Sequence, residues 1–304
     1  MNFLLLYHKT PWTTAEYLQN ILNQNNTTKS YDLGASPYWT NFYGYLPFYL
    51  PKGLPVFAKT VIKKYPLTFD AIIEIDSSGQ YHLPGLNKLK IPSALWSLDT
   101  HEHDKMHFQS FIKNDFEHLF SCHRNYLNKL GNNCKWLPVA CDPNIHKKYE
   151  LQKIYDITFI GNTNPLVYPE RVKLLNKIKQ RYNLSVFSNT FGENMAIKYS
   201  QSKIVFNKSI RGDINMRVFE AMSCGSMLLT DRLNNEAGLE SLFHDGKHLV
   251  LYNDEADLFD KIDFYLKHDS EREVIAHEGM KEVHEKHTYK HRTEEMLKTM
   301  GIIH

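Results

Sequence analysis

The strongest constraint on this chain is its rhythm. Short apolar runs recur along its whole length, each closed by a polar or glycine break and followed by a stretch with helical spacing. In the second half, residues 156–162 form such a run and end on Gly161-Asn162. Residues 170–181 follow, with Val172, Leu174, Leu175 and Ile178 at helical intervals. Residues 184–187, 204–206, 227–230 and 249–251 read as further strands, and 217–223, 255–266 and 270–285 as helices. In the first half, 3–7, 69–75, 93–98, 117–121 and 135–137 are strand-like, and 13–23 is a helix with Thr13 or Thr14 as its N-cap. Strands alternating with helices imply parallel βαβ units. The expected fold class is therefore α/β, with two doubly wound halves facing across a crevice at the carboxyl ends of their strands. Residues 146–153 are hydrophilic and form the natural linker, which sets a first domain at 1–148 and a second at 149–285. Residues 38–57 carry Pro47, Pro51 and Pro55 among many aromatics and read as an irregular loop.

Composition narrows the function classes. A length of 304 residues suits two domains, since ~150 residues is the usual domain size. Lys and Arg number 36 against 34 Asp and Glu, a balance that excludes reliance on non-specific phosphate affinity for nucleic acid. Cys122, Cys134, Cys141 and Cys224 lack paired CxxC spacing, so reduced structural thiols are expected rather than a disulfide framework or a zinc site. No run approaches the ~18 apolar residues of a membrane span. The opening Met1-Asn2-Phe3-Leu4-Leu5-Leu6-Tyr7 has neither a basic flank nor a cleavage site. A soluble, cytoplasmic protein is the expectation.

Chemistry concentrates in residues 213–231, which read as a polar loop, a short helix, a Gly225 break and a buried strand. A helix start presents free N–H groups and a positive dipole end to a phosphate. Asp213, Asn215 and Met216 lead into it, and Arg217 in the first turn adds charge-assisted bonds. Glu220 lies three residues on, where a carboxylate can accept both hydroxyls of a ribose. The bland alternative makes Met216, Phe219 and Met222 core and Arg217/Glu220 a surface pair. Gly161 and Asn162 with Arg171 suggest a second phosphate contact, against a solvated Arg171. Asn207 ends a buried strand, as a crevice residue or as an Asx turn. In the first half, the apolar strand 93–98 runs into Asp99-Thr100-His101-Glu102-His103-Asp104. Asp99 or His101 can take the proton of an acceptor hydroxyl. The rivals are a metal held by His103, His107 and Asp104, or a helix start capped by Asp99 or Thr100.

The stretch Glu220-Ala221-Met222 with Cys224-Gly225 resembles the nucleotide-sugar half of GT-B glycosyltransferases, and specifically the CgeB-like branch of the group 1 transferases. The resemblance runs through residues 155–162, Arg171, Ser202-Lys203-Ile204 with Asn207, Asp245-Gly246-Lys247-His248, and His287-Thr288-Tyr289 with Arg292. Weaker matches reach back to the Asp99-Thr100-His101 pattern and to Trp136-Leu137-Pro138. It implies two Rossmann-type domains, a final segment 286–304 packed back on the first, and catalysis without a cofactor or essential metal. The implied reaction moves a sugar from a UDP-, GDP- or TDP-sugar to a hydroxyl of a glycan, protein or small molecule. One departure stands out. The group usually carries an acid eight positions before the Glu, where this chain has Gly212; Asp213 and Asn215 are the local substitutes. Two other classes remain: a non-catalytic nucleotide-sugar or polysaccharide-binding protein of a coat or envelope assembly, and a nucleic-acid-modifying transferase with residues 38–64 as its groove. Near-neutral charge makes a nucleic-acid acceptor unlikely.

Overall fold

Two parallel sheets organise the protein, and each is ordered by how its strands bury apolar side chains on both faces. The computed structural model describes residues 1–33, 38–40, 49–51, 57–76, 83–100 and 115–304. The chain divides into one unit of residues 1–138 with 289–304, and a second of residues 139–288. The division falls at Pro138, so the hydrophilic stretch 146–153 lies inside the second unit.

In the first unit, β1 (Asn2–Tyr7), β2 (Thr27–Asp32), β5 (Ala71–Asp76), β6 (Ser93–Ser97), β7 (His118–Ser121) and β8 (Cys134–Trp136) form a six-stranded sheet in the order β2-β1-β5-β6-β7-β8. A separate antiparallel pair joins β3 (Tyr38–Thr40) to β4 (Tyr49–Pro51). Among its described residues are the helices α1 (Thr14–Asn23) and the short α2 (Ala58–Ile62) and α3 (Leu127–Leu130). The polar strand β2 carries no apolar run, because it is an edge strand and only partly buried. The core gathers Leu4, Leu6, Ile72, Leu95 and Leu119. The chain's last helix, α10 (Tyr289–Thr299), belongs to this unit. Its Tyr289 ring lies 5.1 Å from that of Tyr17, and the Tyr289 and Thr14 hydroxyls are 3.0 Å apart. Arg292 Nε donates to the Pro138 carbonyl at 2.8 Å.

In the second unit, β9 (Tyr155–Ile160), β10 (Leu184–Phe187), β11 (Ser202–Phe206), β12 (Met227–Asp231) and β13 (Val250–Tyr252) run in the order β10-β9-β11-β12-β13. Between and after them lie α4 (Pro169–Arg181), α5 (Gly192–Ser200), α6 (Met216–Ser223), α7 (Leu239–Leu242), α8 (Glu255–Lys267) and α9 (Asp269–Lys286). The β9–β11–β12 core of Ile157, Phe159, Ile204, Phe206 and Leu229 is almost fully buried. All four cysteines are buried thiols outside any disulfide. Among the described residues, no helix is long and apolar enough to cross a membrane.

Candidate functional site

The strand order of the second unit fixes where its site opens. Crossovers leave β9 toward one edge and β11 toward the other, so the chain parts between the carboxyl ends of these two neighbours. Arg217 sits there. From the first turn of α6, its Nε and Nη2 donate to the Ile160 carbonyl at 2.9 and 2.7 Å, while Nη1 donates to Asn207 Oδ1 at 2.5 Å. Three of the five guanidinium N–H groups thus tie the ends of β9 and β11 together. The guanidinium also lies 4.5 Å over the Phe159 ring. Gly161 is required at this point: a Cβ would collide with Arg217 Nη2 and come within 3.1 Å of the Phe159 ring.

This arrangement dictates the state of the helix start. Asn207 is buried, and its Nδ2 donates to Thr230 Oγ1 at 2.9 Å. Its Oδ1 faces Arg217, so Asn215 must offer Nδ2 to the same oxygen, at 3.2 Å. Asn215 Oδ1 is then left buried without a hydrogen-bond partner. Asn215 is the N-cap of α6, yet its side chain makes no cap hydrogen bond. The Arg217 amide, at the second position of the helix, receives no hydrogen bond from the N-cap side chain, while the Val218 amide donates to the Asn215 carbonyl at 3.2 Å. Met216 itself is half-buried.

Arg171, early in α4, is only 6% exposed rather than solvated. It donates through Nη2 to the Lys208 carbonyl at 3.1 Å and through Nη1 to the Asn162 carbonyl at 3.4 Å. It lies 4.6 Å over Tyr168, and its Nε has no partner. Burial first, then the charge of Arg217, lowers its pKa to about 10. Two partly desolvated cations at one strand end favour an anion between or beside them. The surrounding loops are tied by their own side-chain oxygens. Asn162 Oδ1 accepts from Asn164 N at 2.9 Å. Asp213 Oδ1 accepts from the Ile210 and Arg211 amides at 3.2 and 3.1 Å. Asp231, which the sequence reading gave no role, accepts from Ser209 N and Lys208 Nζ, both at 2.8 Å, and from Ser209 Oγ. Its one sequence signal is an acid at the last position of an apolar strand.

Glu220 and Arg217 are not a surface pair. Phe219 and Met222 are core, and Glu220 is also turned inward at 8% exposure. Burial raises its pKa to about 7, against the pull of Arg217. Its Oε1 lies 3.7 Å from Nε2 of the fully buried His146.

In the first unit the carboxyl ends of β6 and β7 carry hydroxyls instead of charges. Thr100 Oγ1 lies 2.6 Å from Ser121 Oγ and donates to Ser97 Oγ at 3.0 Å. Asp99, half-buried, immediately precedes this knot. His101, with the rival ligands His103, Asp104 and His107, lies outside the described residues. Among the described residues, no group of three or more His, Cys, Asp or Glu side chains is placed to hold a metal ion.

The sequence profile of the glycosyl transferase-like family matches residues 146–298, and the chain belongs to that family. Its class is that of the glycosyltransferases, and its two parallel sheets with flanking helices are those of the GT-B structures. Sucrose-phosphate synthase from Thermosynechococcus elongatus is similar at 10% identity over 98% of each chain, with a TM-score of 0.67. Anabaena HepE in complex with UDP and glucose is similar at 10% identity over 100% of each chain, with a TM-score of 0.68. An α-glucosyltransferase in complex with UDP and a 13-mer DNA is similar at 9% identity, covering 99% of this chain and 100% of that one, with a TM-score of 0.66. No curated protein matches the sequence.

Proposed function

We propose that the protein transfers a sugar from a nucleotide-diphosphate sugar to an acceptor hydroxyl, and that it belongs to the CgeB-like branch of its family. One observation carries the reading: the buried Arg171 and the half-buried Arg217 meet the start of α6, whose N-cap side chain makes no cap bond, with a buried carboxylate one turn further on. In this reading the diphosphate lies against the Met216 and Arg217 amides, the remaining Arg217 N–H groups and Arg171, with Gly161 and Asn162 lining the β9 end. Glu220 accepts the ribose hydroxyls. Asn207 holds Arg217 and Asn215 in place, Asp213 shapes the loop before the helix, and Asn215 Oδ1 is free to accept from the donor.

When the anomeric C–O bond to the diphosphate breaks, negative charge grows on the leaving oxygen. Fixed N–H dipoles and two guanidinium groups meet that charge without a metal. The acceptor oxygen bonds to the anomeric carbon and its proton passes to Asp99 or His101 of the first unit. Among UDP-, GDP- and TDP-sugars, the UDP-sugar is the first to test, because HepE has been solved with UDP and with UDP-glucose. Calorimetry with each nucleoside diphosphate, repeated with Glu220→Ala, tests the reading. Binding of one of them, weakened by ~1–3 kcal/mol in the variant, is the expected result. Unchanged affinity in a folded Glu220→Ala protein sinks the ribose assignment, and turnover abolished by EDTA sinks the metal-free one.

A further inference from the structure

We propose that His146 is a positioning residue for Glu220, its imidazole N–H holding the carboxylate ionised for the ribose hydroxyls of the donor; the proposal rests on the Glu220 reading above. His146 has no exposed surface and was legible in the sequence only as part of a hydrophilic stretch. Its Nδ1 accepts the Asp142 amide N–H at 3.1 Å, so the ring proton sits on Nε2. That nitrogen faces Glu220 Oε1 at 3.7 Å, beyond hydrogen-bond distance, so the ring acts on the carboxylate through its N–H dipole. The His146 carbonyl in turn accepts from Ser223 Oγ, one turn beyond Glu220. Backbone and ring are thus both registered on α6.

The electrostatics agree with this geometry. Burial lowers the His146 pKa to about 4, so the ring is neutral at cell pH and supplies a dipole rather than a charge. The other titratable groups facing Glu220 are Arg217 and Cys224 from α6 and its end, and Tyr199 from α5. From α9, His284 Nε2 reaches Ser223 Oγ at 2.9 Å rather than the carboxylate. Burial pushes the Cys224 thiol and the Tyr199 phenol up, so both stay neutral. Arg217 and His146 are left to favour the ionised carboxylate against its own burial. A ribose offers two O–H donors, and only an ionised carboxylate accepts both without presenting a proton of its own.

Two substitutions separate the ends of the imidazole. His146→Asn puts an oxygen where Nδ1 stood, keeping the Asp142 contact but withdrawing the donor from Glu220. His146→Gln restores a donor at the Nε2 position and gives up the Asp142 contact. The Glu220 carboxyl is followed by ¹³C NMR, assigned with Glu220→Gln, and UDP binding is measured by calorimetry across pH. The expected result is a midpoint raised by about one pH unit in His146→Asn, with UDP affinity at pH 7 down about fivefold. His146→Gln keeps the midpoint of the unaltered protein at a lower Tm. An unmoved midpoint in folded His146→Asn overturns the pair while leaving Glu220 as a donor ligand. Undiminished UDP affinity in Glu220→Gln overturns the donor role itself, and the NMR midpoint still judges the pair.

Discussion

The two units use one strand plan to different ends. Each sheet places its second strand outside its first and continues from the third on the other side, so each has its reversal beside its first strand. In the second unit that point, between β9 and β11, is filled by charge: Arg217 bridges the strand ends, and Arg171, Asp213 and Asp231 close around it. In the first unit the equivalent point lies between β1 and β5; on the other side of β1, at the β1–β2 ends, His8 Nδ1 stands 3.6 Å from Asp32 Oδ1 on the surface. The Asp99 site lies one strand further on, over a knot of neutral hydroxyls. A charged cradle suits a diphosphate, whose own charge compensates the desolvated arginines. Hydroxyls fix a chain direction without imposing a field, which suits a neutral alcohol acceptor.

The largest effect belongs to the first unit. Asp99→Asn is expected to lower turnover by ~10²–10⁴-fold, the usual loss of a general base, with UDP affinity nearly intact. Steady-state kinetics beside calorimetry separate the two. Full activity in both Asp99→Asn and His101→Ala removes the acceptor chemistry from this strand end.

Next in size is a pH effect on stability in the second unit. Glu220 rises from 4.5 to about 7 on folding, so the folded state binds the extra proton and stability is lost as pH climbs through 7. His146 falls from 6.5 to about 4, so its contribution is lost in the opposite direction, as pH drops below 6.5. The two slopes cancel across the mildly acidic range. In Glu220→Gln the slope of His146 is no longer opposed and adds to the same-signed contributions of His118, His248 and His284. Urea unfolding should then show stability rising from pH 4 to 6.5 by roughly 3 kcal/mol more than in the unaltered protein. A profile parallel to that of the unaltered protein means that burial does not raise the Glu220 pKa.

Arg217→Ala ranks third. Losing its charge-assisted bonds is expected to weaken UDP by about 1.5–3 kcal/mol while uridine loses much less. Equal losses for both ligands make Arg217 a strand clamp alone, with the phosphate elsewhere.

What the sequence disclosed follows from burial. Strands buried on both faces, such as Ile157–Ile160 of β9 or Ile204–Phe206 of β11, announce themselves as apolar runs, so the sheets and the Glu220 helix were legible. The edge strand β2 was not, because half of its surface meets water. Polar residues gave the poorest signal. Asp231 and His146 read as unassigned or as part of a hydrophilic stretch, and Arg171 was singled out as a phosphate contact without its burial, since a one-dimensional pattern cannot show partners that lie 22, 74 or 37 positions away. The hydrophobic period reports faces of elements, whereas a charged site is assembled from their ends.

The smallest effect draws the comparison most finely. Thr100 is fully buried and joins the ends of β6 and β7 through Ser97 and Ser121, the latter also bonded to the His123 amide at 3.1 Å. Thr100→Val keeps the shape and removes the hydroxyl, leaving both serines short of a partner, so a loss of about 1 kcal/mol and a Tm lower by a few degrees are expected. That cost is ordinary; where it appears in the kinetics is the informative part. Asp99 is the adjoining residue, and loosening its exit from β6 should lower kcat several-fold if Asp99 acts on the acceptor. UDP affinity should not change, because no donor contact in the proposed site comes from β6 or β7. A Thr100→Val protein that loses UDP affinity in step with kcat breaks the division, since donor binding would then depend on the hydroxyl end as well as on the charged one.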